Sequence, residues 1–305
     1  MEHVYDTLII GGGPAGYTAA LYASRAGLDT AVVEKLSPGG QMTITGVIDN
    51  YPGFEQGIEG FELGMKMQAC GERFGAKTHY AEVISVNLSG KVKELITTDG
   101  SLYAKTVIIA SGANPRELGL EREQSFMGMG VHYCAHCDGR FYKDKVVAVV
   151  GGGNSAVTDA LYLSRMAKKV YLIHRRDSLR ADKIYHAPLE KCSNVEFVWN
   201  TTVTELIGEN RLSSIRVKTN GNEAIIDCDA VFVSIGRKPI TDFLGDEIST
   251  DKNGYIIAGE STETNIDGVY AAGDVRTKAL RQIVTAVADG AVSVHFAQEY
   301  IDKFE

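Results

Sequence analysis

What the sequence lacks sets its class. No apolar run approaches the ~20 residues that a helix needs to cross a bilayer, so a membrane span is not expected. Proline occurs only six times in 305 residues and tryptophan once, and the 44% hydrophobic content is too high for a disordered chain. Residues 1–10 carry no basic n-region and only a short apolar stretch. They read as a first strand rather than a signal peptide, which sets the expectation of a cytoplasmic chain. Cysteine is scarce at five, and in that compartment a close cysteine pair is redox-active or metal-binding rather than structural. A formal net charge of −8 argues against nucleic acid as the main partner.

Glycine, by contrast, is abundant: 33 residues, in a composition that suits a globular α/β protein with many tight turns, as one large domain or two of ordinary size. Many of the glycines belong to an internal echo. Residues 6–34 contain a strand, the turn Gly11-Gly-Gly-Pro14-Ala15-Gly16, a helix and a second strand ending at Glu34. Residues 145–174 repeat that order through Gly151-Gly-Gly153-Asn154-Ser155-Ala156 to His174. Gly11 and Gly151, Gly13 and Gly153, Gly16 and Ala156, and Glu34 and His174 are each separated by 140 positions. One G-x-G-x-x-G is a weak signal; two in register, each inside a βαβ unit, are strong. Each unit has a later partner strand ending in a small-residue turn, at Gly112 and at Gly236, where backbone can approach a ligand closely.

The fold class expected is therefore α/β, with two Rossmann-like dinucleotide-binding domains, the second inserted into the first. Residues 1–114 and 246–305 form the outer domain and 115–245 the insertion, with crossings at Asn114-Pro115 and near Asp242–Gly245. The final segment, 282–300, reads as a long helix of the outer domain.

Each fingerprint exposes helix N-terminal N–H groups to a pyrophosphate, and the end of its second strand selects the ribose. Glu34 accepts hydrogen bonds from ribose hydroxyls and repels a 2′-phosphate, so the first site suits FAD or NAD. At the second site the acid gives way to His174-Arg175-Arg176-Asp-Ser-Leu-Arg180. Three guanidinium forks there point to NADPH over NADH.

Just ahead of the second fingerprint stands Cys134-Ala-His-Cys137-Asp138. A structural zinc site needs four ligands, commonly from two close pairs, and only one pair exists; the reading is a redox dithiol with no metal. Asp138 is placed to give and take a proton as the disulfide opens and closes. His136 either stabilises a thiolate or is an exposed spacer, and both readings stand. Cys70 is expected in the core and Trp199 in packing.

Taken together, these motifs resemble the bacterial-type low-molecular-weight thioredoxin reductases over essentially the whole chain. Gly39-Gly40-Gln41, Asn50-Tyr-Pro-Gly53 and Ala272-Gly273-Asp274 complete the match, and the C-x-x-C beside the second fingerprint separates this family from larger disulfide reductases. The resemblance implies FAD in the outer domain and NADPH in the insertion. It also implies a homodimer, and thioredoxin or a thioredoxin-like small dithiol protein as partner. It places Glu34 at the adenosine ribose, Gly40, Gln41 and Asn50 near the flavin, Asp274 on the ribityl chain, and a helix beginning at Arg281-Gln282-Ile283 with its N-terminus toward the flavin ring. It implies a rotation of the inserted domain on its two crossings. Cys134 becomes the nucleophile on the partner and Cys137 the flavin-proximal sulfur.

Two departures bear on the partner. Members commonly read Gly-Phe-Phe after the redox pair, where this chain reads Gly139-Arg140-Phe141, and the spacer Ala135-His136 stands where Ala-Thr is frequent. A glutaredoxin-like or peroxiredoxin-linked partner is therefore the alternative substrate, and a flavin-dependent dithiol oxidase the alternative activity.

Overall fold

The computed structural model describes residues 3–44 and 47–303. It divides into two compact units, Met1–Asn114 with Lys238–Glu305, and Pro115–Arg237.

In the first unit the strand Val4–Ile10 is apolar on both faces because both are covered. Leu8 and Ile10 enter one core cluster while Ile9 enters the other. Parallel strands run in the order Lys77–Tyr80, Thr30–Glu34, Val4–Ile10, Gly100–Ile109, with Val269–Ala271 beyond. The ten-residue strand Gly100–Ile109 serves two neighbours on one edge: its first half pairs antiparallel with Lys93–Thr97, its last residues parallel with Val269–Ala271. The helix Pro14–Arg25 and the final helix Ile283–Ile301 approach backbone to backbone, since a Cβ on Gly290 would lie 2.3 Å from the Ala15 carbonyl oxygen.

The second unit repeats the plan. Its parallel sheet runs Val195–Val198, Lys169–Ile173, Val146–Val150, Ala230–Val233, Val131–His132. Val147 and Val149 pack on one layer, Ala148 and Val150 on the other. The second layer is closed by an antiparallel sheet of Thr201–Gly208, Leu212–Thr219 and Asn222–Asp227. In both units the first strand lies between the second and a later strand. The crevice at the carboxyl ends of those strands is the topological switch point where nucleotides bind in such sheets.

The crossings Ala113–Pro115 and Arg237–Pro239 pair as a short two-stranded ribbon. The border read from the sequence at 245–246 thus falls at 237–238 in the structure: Leu244 is buried in the first unit's core with Ile248 and Ile256. Cys70 also differs from expectation. The helix Gly60–Glu72 turns Leu63, Gly64, Gln68 and Gly71 inward, and Cys70, off that face, is exposed. Trp199 stacks on Phe197 at 5.0 Å, a packing role.

Candidate active site: two nucleotide cradles and a disulfide

The two fingerprints are built alike. Gly11 has φ of 100°, and a Cβ there would sit 2.6 Å from the Ala110 carbonyl oxygen; Gly151 has φ of 152°, with Ser234 O at 2.3 Å. Only glycine fits where the turn crosses the end of the neighbouring strand. Gly16 lets the helix close on the turn, since its Cβ would lie 1.9 Å from Gly11 O. At Gly13 and Gly153, by contrast, a Cβ would meet nothing within 4 Å. Those faces of the turns are open, as a bound pyrophosphate requires.

The segment after each second strand is tied to the middle of its fingerprint. Gly39 N–H donates to Gly12 O at 2.8 Å, and Arg180 N–H donates to Gly152 O at 2.7 Å. The first tie brings Gly40 against Gly13; the second fixes the far end of the arginine-bearing loop. Glu34 Oε2 accepts from Gly12 N–H at 2.6 Å and Oε1 from Leu36 N–H at 3.0 Å, so the carboxylate is oriented by backbone with lone pairs left for ribose hydroxyls. At the matching place His174 lies flat on Gly152.

The second cradle suits a 2′-phosphate. Arg175, Arg176 and Arg180 are exposed, and none forms an ion pair among the described residues. His174 is buried, and its Nε2 has no hydrogen-bond partner there. Burial first, then the charges of Arg180, Arg176 and Arg175, push its pKa below the ordinary histidine value. It therefore leaves the positive charge of the cradle to the arginines. Asn154 is partly committed inside the protein: it donates to Asp182 Oδ2 at 2.7 Å and accepts from Asp182 N–H at 2.8 Å. Ser155 beside it is exposed, and Ala156 is buried under the turn.

Several of the remaining first-cradle residues lie at the start of the final helix. Gln282 caps it, its backbone N–H donating to Thr285 Oγ1 at 3.1 Å, and Asn50 donates to Gln282 Oε1 at 3.0 Å. Ile283 begins the helix. Gln41 donates to Asn114 at 2.9 Å. Gly273, at φ of 79°, packs on Ala15, and Gly112, at φ of 75°, lies in the turn between the strand ending at Ile109 and the short strand beginning at Ala113. Arg281 is a brace: its guanidinium donates to the carbonyls of Asp274 at 3.3 Å and Arg276 at 3.1 Å and lies 4.0 Å from the Tyr255 ring centroid.

Sequence reasoning missed Asp289, the residue beneath this turn. It accepts from Gly273 N–H, Arg276 and Lys278, all nearly or fully buried. An acid in mid-helix carries no motif, and only the fold reveals its partners.

Cys134 and Cys137 form a disulfide, both partly exposed, on the short helix Ala135–Asp138 that follows the strand Val131–His132. Cys137 and Asp138 N–H both donate to Cys134 O, at 3.2 and 3.1 Å. Gly139 packs closely, since a Cβ there would lie 2.8 Å from Leu163 Cδ2 and 3.1 Å from Tyr162 Cε1. His136 is more than an exposed spacer: its ring stacks on Tyr162 at 4.3 Å, and Nδ1 lies 3.7 Å from Asp159 Oδ1. Asp159 accepts from Ser234 at 2.5 Å, and burial raises its pKa. Asp138 is engaged by His132, which lies two residues before Cys134. Arg140 lies over the Phe141 ring at 4.8 Å.

Two dinucleotide cradles and a dithiol beside the second define a flavin- and nicotinamide-dependent disulfide oxidoreductase. The pyridine nucleotide-disulphide oxidoreductase family matches residues 5–290. The chain is 45% identical to the thioredoxin reductase of Listeria innocua, covering all of this chain and 96% of that one. It is 42% identical to that of Bacillus subtilis, covering 100% and 97%. The crystal structure of thioredoxin reductase from Streptococcus pyogenes superposes with a TM-score of 0.91 at 44% identity, over 99% of this chain and 100% of that one. The chain belongs to the pyridine nucleotide-disulphide oxidoreductase family and, within it, to the low-molecular-weight thioredoxin reductases. The cofactors of this class are FAD and NADPH. Among the described residues no helix is long and apolar enough to cross a membrane.

Proposed function

We propose that the chain is an NADPH-dependent thioredoxin-disulfide reductase whose electrons pass through FAD to the Cys134–Cys137 disulfide and on to thioredoxin or a thioredoxin-like small protein. One observation carries this: the disulfide sits in the same unit as a fingerprint whose arginine loop is anchored to its turn. When bound, FAD and NADPH supply the two-electron chemistry that connects a soluble reductant to that disulfide. FAD is assigned to the cradle of Gly11, Gly13, Gly16 and Glu34, with Asn50, Asp274 and the capped helix at Ile283 on its flavin side. NADPH is assigned to Gly153, Ser155, Ala156 and the arginines 175, 176 and 180.

The protein's own share is thiol chemistry. In the reduced enzyme the Cys134 thiolate attacks the partner's disulfide, forming a mixed disulfide and releasing one partner thiolate. Cys137 then attacks Cys134, restoring the Cys134–Cys137 bond and releasing the second. Asp138 holds or gives the proton that each sulfur gains or loses. In this reading the chain acts as a homodimer in the cytoplasm. Light scattering on the purified protein tests the dimer.

Cys137→Ser tests the assignment. The variant is expected to lose disulfide reduction entirely while NADPH still bleaches its bound flavin. A flavin that stays oxidised with NADPH would count against the reading.

A further inference from the structure

Resting on that reading, the proton account is incomplete. Reducing a disulfide to a dithiol takes two electrons and two protons, whereas oxidising NADPH to NADP+ yields two electrons and one proton. The second proton comes from water in every cycle. Asp138 can deliver it to sulfur, but a carboxylate that has given its proton must be recharged before the next turn.

We propose that His132 and Tyr142 form the path that recharges Asp138. His132 is 6% exposed, and both ring nitrogens are engaged: Nδ1 lies 3.0 Å from Asp138 Oδ2 and Nε2 2.7 Å from the Tyr142 hydroxyl. The ring cannot swing away, because it stacks on Phe232 at 5.3 Å and meets the Tyr142 ring edge-on at 5.1 Å. An imidazole held between an acid and a phenol accepts a proton at one nitrogen as it releases one from the other. The step is balanced. Tyr142 passes its hydroxyl proton to Nε2, the Nδ1 proton passes to Asp138, and Tyr142 takes a proton from water; when Cys134 later gives up its proton to attack the partner, the same shift runs in reverse and restores the Nδ1–H tautomer, and no electrons move.

Beyond Tyr142 the proposed path runs toward Arg211, an exposed side chain from the strand-to-strand turn, whose charge acts on the phenol together with those of Asp138 and Asp229. Burial raises the Tyr142 pKa, with Arg211 opposing and Asp138 and Asp229 reinforcing, so the phenol rests protonated. A buried histidine in a purely structural role would satisfy its two hydrogen bonds equally well. The two accounts differ in what pH does.

Two rates on the FAD-loaded enzyme separate them, measured from about pH 6 to about pH 9 in wild type, Tyr142→Phe and His132→Gln. One is reduction of the Cys134–Cys137 disulfide by NADPH, with flavin bleaching in the same sample as reference. The other is its reduction by dithiothreitol, read as free thiol and independent of NADPH. Both variants are expected to track wild type near pH 6, where protons are plentiful, and to fall roughly tenfold behind it near pH 8. Tyr142→Phe removes one oxygen and keeps the ring, so it decides the matter even if His132→Gln folds poorly. A Tyr142→Phe profile parallel to wild type at every pH, whether equal or uniformly slower, overturns the proposal. If NADPH fails to bleach the flavin, the functional reading is at fault, and the dithiothreitol arm still tests the path.

Discussion

Asp289 grips Arg276 with both carboxylate oxygens, Oδ2 to Nε at 2.8 Å and Oδ1 to Nη2 at 2.7 Å, and each side chain is less than a tenth exposed. Lys278 and the Gly273 N–H complete the cluster on Oδ2. Burial opposes ionisation of Asp289, but the hydrogen bonds from Arg276, Lys278 and Gly273 outweigh it and hold the carboxyl below the usual range. A lowered folded-state pKa contributes stability that is present above the unfolded value of about 4 and is lost as pH falls through the folded value. Asp289→Asn leaves two buried cations without a counter-charge. It should destabilise the protein by about 3–5 kcal/mol in chemical denaturation at neutral pH. The deficit should shrink below about pH 4, and the variant should retain FAD poorly because the Gly273–Asp274 turn loses its anchor.

The fingerprint glycines should separate into two kinds. Gly16→Ala drives a methyl to 1.9 Å from Gly11 O and should cost about 3 kcal/mol or more, with little soluble protein recovered. Gly13 and Gly153 have ordinary extended backbones, at φ of −81° and −94°, and open space beyond. Alanine there should change stability by less than about 1 kcal/mol. It should nonetheless weaken FAD at Gly13 and NADPH at Gly153 by tenfold or more, because the methyl enters the space assigned to pyrophosphate. Thermal melts with and without cofactor distinguish the cases.

Much of this was legible because it repeats. The 140-residue offset marks Gly11 with Gly151 and Glu34 with His174, and the turns they build have the same strand crossing and the same tie to the following loop. The guanidinium cluster and the C-x-x-C were visible because each is contiguous. What stayed hidden depends on residues far apart in sequence. Asp289 meets Arg276 from a helix face that shows only alternating small and apolar residues. Leu244 joins the first core through packing that no local pattern announces, which is why the domain border was read eight residues late. Cys70 was read as core from apolar neighbours, although its own position on the helix turns outward.

Coenzyme choice should follow the arginines. A charge-assisted hydrogen bond to phosphate is worth about 1.5–3 kcal/mol, so alanine at Arg175, Arg176 or Arg180 should raise the KM for NADPH roughly tenfold to a hundredfold. NADH, which lacks the 2′-phosphate, should be used about as poorly as before. The NADPH advantage should also shrink with added salt, since all three side chains are exposed. Steady-state rates with both coenzymes at two salt concentrations check this; an unchanged preference in all three variants would remove the cluster from the site.

Partner choice should be concentrated at Arg140. Its guanidinium lies 4.8 Å from the centroid of Phe141, an exposed ring three positions beyond Asp138, so a cation–π pair stands close after the disulfide in the chain. A cation at that place favours a partner with an acidic rim and penalises one that offers an apolar surface, because the charge must be stripped of water on contact. Arg140→Phe restores the aromatic pair frequent in this family. It should raise kcat/KM several-fold for an ordinary thioredoxin and lower it for an acidic dithiol protein, with the dithiothreitol rate unchanged. The change should appear mainly in KM and lose its salt dependence, since the residue meets the partner and not the sulfurs. Equal effects on both protein substrates would place the selectivity elsewhere on this face, with His136 and its stack on Tyr162 the next residues to exchange.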